Sequence, residues 1–230
     1  MKSYEISFMK NKKPIWACLL LPVLLFCTGV AAQIPVEQEP HHKIVFKNQY
    51  VRLIDLQVRA GDTTLPHTHA AASVVVFLSN STFAIQDVGG SPVITEVKAG
   101  DIVYRAYDEK PVTHTVWEQG SPMFHCMVVE LMKQHPGNDT CSILSGPGVK
   151  FQWQQKSVSA YALSIPKGGQ YHLQKSNCAW FLIDVSGIVR AVSSGGNQPL
   201  QAGGFVYFPP QSELEIDGNE NAGCVLLALK

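Results

Sequence analysis

The chain has 230 residues, 18 basic and 18 acidic, and 46% of its residues are hydrophobic. This length allows one or two domains with a sizeable core. Residues 1–32 hold four of the basic residues and one acidic residue, so the remaining chain has 14 basic against 17 acidic residues and a net charge of −3. With no basic run left, this balance argues against nucleic acid or an anionic membrane surface as a partner.

The N-terminal segment has the pattern of a signal peptide. Lys10, Lys12 and Lys13 precede an apolar run of 12 residues, 15–26, and the segment ends in Ala31-Ala32. The run is shorter than the roughly 20 residues that span a bilayer. Residues 1–32 are therefore predicted to be a signal peptide cut after Ala32, leaving a periplasmic or secreted product with no membrane attachment. Met9 is an alternative start that changes nothing downstream.

Four cysteines remain after cleavage, and their pairing is open. An even number in an oxidising compartment favours disulfides, with three complete pairings available. Two of the four lie in apolar strand-like runs, where a buried thiol behaves as a small hydrophobe. Disulfides and free thiols are thus both compatible with the four positions, which are Cys126, Cys141, Cys178 and Cys224.

From residue 51 onward the chain predicts an all-β fold. Short runs rich in Val, Ile, Phe and Tyr alternate with turns marked by Gly, Pro, Asn and Asp, which is typical of a sandwich or barrel. The predicted strands are Val51–Val58, Ser73–Leu78, Thr82–Asp87, Val93–Val97, Asp101–Arg105, His114–Trp117 and Phe124–Leu131.

Composition divides the remaining chain into two β regions. The range 133–157 is rich in turn formers and is predicted to be a linker. It separates a first region at 43–132 from a second at 158–230.

The two regions resemble each other. When Gly61 is placed on Gly168, the apolar residues before each glycine match, and further on Ala99-Gly100 matches Ala202-Gly203. The chain therefore predicts a tandem repeat of one β unit.

His67-Thr68-His69 is the sharpest chemical feature. Residues two apart in a strand project to the same face, so both imidazoles can reach one ion. His114 begins a later strand, and closing a sheet into a barrel can bring distant strands face to face.

These residues resemble the two sequence motifs of the cupin superfamily. Gly61 is followed after five residues by His67-Thr68-His69, and then come Ala99-Gly100-Asp101 and His114. The resemblance covers roughly residues 48–131. It implies tandem β-barrels of the double-stranded β-helix or jelly-roll type. It also implies that His67, His69 and His114 bind one divalent metal ion in the first barrel, with Fe, Mn and Zn all open.

The departures from the family pattern concern charge. The family's glutamate ligand is replaced by Ser73, and Glu118 stands where the family has asparagine. Four residues along a strand is about 13 Å, which places Glu118 too far from His114 to share its ion. Three neutral imidazoles leave the +2 charge of the ion uncompensated, which favours an anionic group on the ligand.

The second region lacks the histidine set. It is predicted to be a packing partner that preserves a duplication, with a degenerate pocket for an organic ligand as the alternative. The positions equivalent to His67, His69, Ser73 and His114 become Gln174, Ser176, Trp180 and a residue near Leu214.

The remaining candidates receive weaker predictions. His125 and Cys126 are considered as residues behind the metal ligands, and Tyr104 as a proton donor or a core aromatic. Four further histidines lie among turn and polar residues and are predicted to be solvated: His41, His42, His135 and His172.

Two function classes follow, because a fold alone does not fix an activity. One is an exported metal-dependent oxidoreductase, such as a dioxygenase, acting on a small anionic or enolic substrate. The other is a non-catalytic exported module that binds a metal or small ligand. A homodimer through strand edges is a further expectation, unless the duplicated unit covers that edge within one chain.

Overall fold

The computed structural model describes residues 33–120, 123–134, 141, 143–193 and 196–230. The predicted signal peptide and His135 lie outside these residues. Ala32–Lys230 forms one compact unit. Within the described ranges, no helix is long and apolar enough to cross a bilayer.

The described chain is built almost wholly of strands. One short 3-10 helix, Val36–Gln38, lies between the first two strands. The strands are β1 Ile34–Pro35, β2 His42–Lys47, β3 Val51–Arg59, β4 His67–His69, β5 Ser73–Phe77, β6 Ser81–Asp87, β7 Val93–Val97, β8 Ile102–Arg105, β9 Val112–Glu118, β10 Met123–Leu131, β11 Val149–Gln154, β12 Val158–Ile165, β13 Gln170–Leu173, β14 Ala179–Ser186, β15 Ile188–Ser193, β16 Gly196–Gln201, β17 Phe205–Phe208, β18 Leu214–Gly218 and β19 Ala222–Leu229.

The first barrel consists of two five-stranded sheets. One has the order β1-β4-β9-β6-β7 and the other β2-β3-β10-β5-β8. The seven strands predicted between residues 51 and 131 are all present, with ends that shift by no more than two residues. The all-β prediction is confirmed.

The second barrel repeats the first strand for strand. Its sheets have the orders β11-β12-β19-β14-β17 and β13-β18-β15-β16, which are the orders of the first barrel without β1. The predicted tandem of two β-barrels is thereby confirmed. The strand β11 lies inside the range 133–157 that the sequence analysis assigns to a linker. It forms because Val149, Phe151 and Trp153 alternate with polar residues and pair with β12.

Equivalent glycines make equivalent turns in the two barrels. Gly61 follows β3 with φ of 86°, and Gly168 follows β12 with φ of 73°. These left-handed conformations favour glycine because a side chain would clash with its own backbone. The repeat detected in the sequence therefore reflects a shared backbone requirement.

The two barrels pack back to back. Along β14, Trp180 and Leu182 point into the second barrel, whereas Phe181 and Ile183 point into a separate core. That core also contains residues of β3, β5 and β10 from the first barrel. Because β14 is buried on both faces, its side chains alternate between the interior of the second barrel and the core between the two barrels.

Of the four described cysteines, two are bonded to each other and two are free. Cys141 and Cys178 form a disulfide. Cys126 and Cys224 are free and buried. They occupy corresponding strands, β10 and β19, of the two barrels.

Candidate metal centre

Two of the predicted ligands lie on β4. His67 and His69 are both buried, while Thr68 between them points to the other face and bonds the Thr113 hydroxyl. The centroids of the two imidazole rings are 5.1 Å apart. As the spacing predicts, both rings therefore lie on the same face of β4.

β9 brings His114 to the same place. It is the register partner of His67 in the antiparallel pair formed by β4 and β9. Its ring centroid is 4.8 Å from that of His67 and 5.1 Å from that of His69. The structure thus gathers the three predicted histidines inside the first barrel.

A fourth histidine, His42, joins them. It begins β2 and is 4% exposed. Its ring centroid is 4.3 Å from that of His67 and 5.6 Å from that of His69. The prediction that His42 is solvated is wrong, because β1 pairs in parallel with β4 and the following turn carries His42 into the barrel.

The other histidines outside this cluster behave differently. His41 is partly buried and bonds the carboxylate of Glu39. His172 is exposed. His125 pairs with Asp55 at 2.8 Å, away from the cluster.

The geometry of the cluster fits a metal ion. Ligand atoms of His42, His67 and His69 all lie within 4.8 Å of one another. Tetrahedral nitrogens at about 2.0–2.1 Å from zinc would be roughly 3.4 Å apart, so modest side-chain movement would complete such a site. Within the described residues this grouping contains His42, whereas the sequence predicted His114 as the third ligand.

Hydrogen bonds select the nitrogen that each ring offers. Nδ1 of His42 bonds the Glu39 carboxylate at 2.6 Å, and Nδ1 of His67 bonds the Leu65 carbonyl at 2.7 Å. The Nε2 atoms of both rings are buried and have no hydrogen-bond partner among the described residues. A buried imidazole with one nitrogen so fixed and the other unpartnered has the form of a metal ligand.

Burial keeps these rings neutral. Burial, with a smaller contribution from the neighbouring histidines, lowers the pKa of His67 to about 3 and that of His114 to about 2. Burial also lowers the pKa of His42, although its bond to Glu39 opposes this. Only a neutral imidazole can donate a lone pair to a metal ion, so these three rings are ready to bind one at neutral pH.

The carboxylate of Glu39 is ionised despite its burial. Burial would raise its pKa, but hydrogen bonds from His42, His41 and the Leu65 N–H group outweigh that and hold the pKa at about 2. Glu130 likewise has a lowered pKa, because contacts with His69 and Arg52 outweigh burial.

His42, His69 and His114 line a small, largely apolar cavity of about 70 Å³. A water molecule needs roughly 10–15 Å³ of such volume, so the cavity has room for several waters or one compact ligand. Arg105 and Tyr107 contribute its polar atoms beside the histidines. The apolar lining includes Leu56, Phe77, Phe83, Val116, Phe124 and Cys126.

Tyr107 is a residue of the cavity wall that the sequence did not predict. Its ring stacks on His69 with centroids 5.2 Å apart and planes inclined by 29°. Burial raises the pKa of its phenol, and nearby Arg105 limits the rise. Tyr104, the tyrosine proposed from sequence, instead packs on Trp153 in the inter-barrel core.

The positions that depart from the family pattern have structural roles. Ser73 is fully buried and donates its hydroxyl to the Ala71 carbonyl at 2.8 Å. Glu118 lies at the far end of β9 from His114 and accepts from the backbone N–H groups of Gln119 and Gly120.

The second barrel has a packed interior at the corresponding place. Trp180, which occupies the position of Ser73, is 2% exposed and donates its indole N–H to Ser176. The interior of the second barrel is filled by apolar side chains such as Leu182, Leu214 and Leu226.

Comparison with known proteins agrees with a tandem cupin fold. No protein-family model and no curated protein sequence matches the chain. Solved structures do match. One is salicylate 1,2-dioxygenase from Pseudoaminobacter salicylatoxidans with gentisate, with a TM-score of 0.58 at 9% identity, covering 80% of this chain and 70% of that one.

Two further structures match over most of both chains. YhhW from Escherichia coli has a TM-score of 0.59 at 15% identity, covering 82% of this chain and 89% of its own. AerE from Microcystis aeruginosa has a TM-score of 0.54 at 13% identity, covering 84% and 98%. At these identities the similarity establishes the two-barrel cupin fold and no activity.

Proposed function

We propose that the first barrel binds one divalent metal ion and acts, in an exported protein, as an oxidoreductase of the dioxygenase kind on a small anionic or enolic substrate. The observation that carries this proposal is the convergence of ligand atoms from His42, His67 and His69 within 4.8 Å, beside an apolar cavity that His42 and His69 line. The rings of His42 and His67 have lowered pKa values, and each keeps an unpartnered nitrogen within the described residues.

His42, His67 and His69 would hold the ion, with His114 beside them. A divalent ion so bound polarises substrate oxygen atoms, and a redox-active one such as iron also supports oxygen chemistry. An all-imidazole set suits iron, zinc or copper better than magnesium or calcium, which prefer oxygen ligands.

The cavity favours a compact anion with an apolar body. Arg105 supplies a fixed positive charge at a wall that is otherwise largely apolar. A guanidinium pairs well with a carboxylate. Tyr107, with its raised pKa, stays protonated at neutral pH and is placed to donate a hydrogen bond to a bound anion. Gentisate, the compound bound by salicylate 1,2-dioxygenase, is a ligand of this kind on the same fold.

The experiment is metal analysis of protein purified from its native compartment, followed by oxygen-uptake assays with small aromatic carboxylates and enediols. We expect one metal ion per chain and turnover that is lost in His67→Ala but retained in His172→Ala, an exposed histidine of the second barrel. Full metal occupancy without turnover would favour the non-catalytic binding module. Metal-free protein whose thermal stability does not respond to added metal would refute the metal site.

Export is supported by the disulfide between Cys141 and Cys178, since such bonds persist mainly in oxidising compartments. Mass spectrometry of the protein from a periplasmic or culture-medium fraction should give a chain that begins at Gln33. A cytosolic chain that retains residues 1–32 would contradict this part of the proposal.

A further inference from the structure

Two histidines of the cluster have a buried glutamate behind them. The Glu39 carboxylate bonds Nδ1 of His42 at 2.6 Å, and Oε1 of Glu130 lies 3.9 Å from Nδ1 of His69. Both glutamate side chains are 0% exposed. A carboxylate is costly to bury without partners, so their placement requires an explanation.

Glu39 is fixed from several directions. One oxygen accepts hydrogen bonds from the His41 ring at 2.9 Å and from the Leu65 N–H group at 3.1 Å. The other accepts from the His41 N–H group at 2.8 Å, besides the bond from His42. No lysine or arginine is among these partners, so the Glu39 carboxylate brings negative charge to the back of His42.

Glu130 is fixed differently. Its Oε2 bonds the Nε group of Arg52, whose guanidinium also lies 3.4 Å from Glu37. Its Oε1 is buried, faces His69 and has no hydrogen bond within the described residues. A small rotation of the His69 ring would let its Nδ1–H group donate to that oxygen.

We propose that Glu39 and Glu130 are positioning residues of the metal centre, which orient His42 and His69 through their Nδ1–H groups so that Nε2 of each ring faces the ion. This inference rests on the proposed metal binding. Outer carboxylates of this kind fix the tautomer of a ligand and make it a stronger donor.

Glu39 also brings negative charge close to histidine ligands that carry none. Ser73 stands where the cupin motif has a glutamate ligand. The sequence therefore predicted a strongly electropositive metal centre. Arg52 contacts Glu130, whereas no lysine or arginine is among the described partners of Glu39. The Glu39 carboxylate would therefore offset part of the positive charge of a bound divalent ion.

The test compares Glu39→Gln and Glu130→Gln with Glu220→Gln, which changes an exposed glutamate of the second barrel in the same way. Zn²⁺ and Co²⁺ affinities are measured by competition with a chelating indicator, and the visible spectrum of the Co²⁺ form is recorded. We expect each buried variant to bind roughly 10- to 100-fold more weakly, with an altered Co²⁺ spectrum, and the control to match the wild type.

The outcomes separate this inference from the proposed function. If the wild type binds no metal, the proposed metal site fails. If the wild type binds metal and both folded variants retain its affinity within twofold and its Co²⁺ spectrum, the positioning role alone is overturned.

If a variant does not fold, the proposal can still be tested on the wild-type protein. Nitrogen NMR of the Zn²⁺-loaded protein should show protonated Nδ1 and coordinated Nε2 for His42 and His69. Coordination through Nδ1 in either ring would overturn the proposal.

Discussion

His42 is the residue that most changes the expected metal centre. Of the three histidine rings around His67, that of His42 lies nearest, with 4.3 Å between the centroids. Its Nε2 is buried and unpartnered within the described chain. At the residue scale, it is therefore the strongest single target for mutation.

We expect His42→Ala to weaken Zn²⁺ binding by more than the roughly 10- to 100-fold that losing an outer partner costs, because a donor atom itself is removed. His172→Ala is the control, since His172 is an exposed histidine of the second barrel and lies outside the cluster. Equilibrium competition for Zn²⁺ measures both. Equal affinities for wild type and His42→Ala would assign the ion to His67, His69 and His114 instead.

Asp184 makes the stability depend on pH. It is fully buried in the second barrel, and burial raises its pKa from 3.8 to about 6, with the Ser186 and Val189 N–H groups limiting the rise. The folded state thus holds this proton more tightly than the unfolded state. Asp184 therefore destabilises the fold increasingly as pH rises from about 4 through 6, by about 3 kcal/mol in all.

We expect Asp184→Asn to be as stable as the wild type at pH 4 and more stable at pH 8, by up to about 3 kcal/mol. The amide has nearly the same shape as the carboxylate, while the buried charge is gone. Urea unfolding at both pH values measures the difference. A variant that is equally destabilised at pH 4 and pH 8 would show that the carboxylate is not ionised against a burial cost.

The sequence predicts part of the site because some of its geometry is local. The spacing of His67 and His69 places both on one face of any strand, so their convergence needs no knowledge of the fold. His42 enters the cluster only through the parallel pairing of β1 with β4, which joins residues more than 30 positions apart. Tyr107 depends in the same way on the path of the loop after β8.

At the scale of elements, the strands were predictable where a short apolar run is bounded by turn residues. β9 alternates between buried and partly buried residues, whereas β3 and β10 are buried over most of their length, and the ends of all three were found to within two residues. β11 was assigned to a linker because turn formers dominate the stretch before it. Its pairing with β12 overrides that local composition.

The disulfide joins two elements of the second barrel region. Cys141 precedes β11 and Cys178 precedes β14, at a sequence separation of 37 residues. Closing a loop of this length lowers the entropy of the unfolded chain and stabilises the fold by about 4 kcal/mol. We expect reduction with dithiothreitol to lower the free energy of unfolding by an amount of that order.

Thiol counting provides the control for this experiment. Mature protein unfolded without reductant should show two reactive thiols, from Cys126 and Cys224, and four after reduction. Four thiols before reduction would show that the bond does not form, and any effect of dithiothreitol would then need another cause.

At the scale of the whole molecule, the duplication separates two roles. The first barrel keeps a cavity lined by His42, His69 and His114, whereas the second fills the same volume with apolar side chains. The two share a core in which Phe46 of the first barrel contacts Phe181, Phe205 and Tyr207 of the second at 5.6–6.0 Å between ring centroids. The second barrel thus covers a sheet that would otherwise expose a large apolar surface.

This shared core predicts that the two barrels unfold together. Phe181 is fully buried in it and stacks on Phe205 with centroids 5.9 Å apart. Phe181→Ala should lower the free energy of unfolding by about 3–5 kcal/mol in a single transition, because it leaves a cavity between the barrels.

Phe151→Ala, at a half-exposed position on β11, is the matched control and should cost much less. Metal affinity should stay unchanged in both variants, since Phe181 faces away from the interior that holds the histidines. Two separate transitions in thermal unfolding, with only one of them shifted by Phe181→Ala, would show that the barrels are independent and that the second is not a structural support for the first.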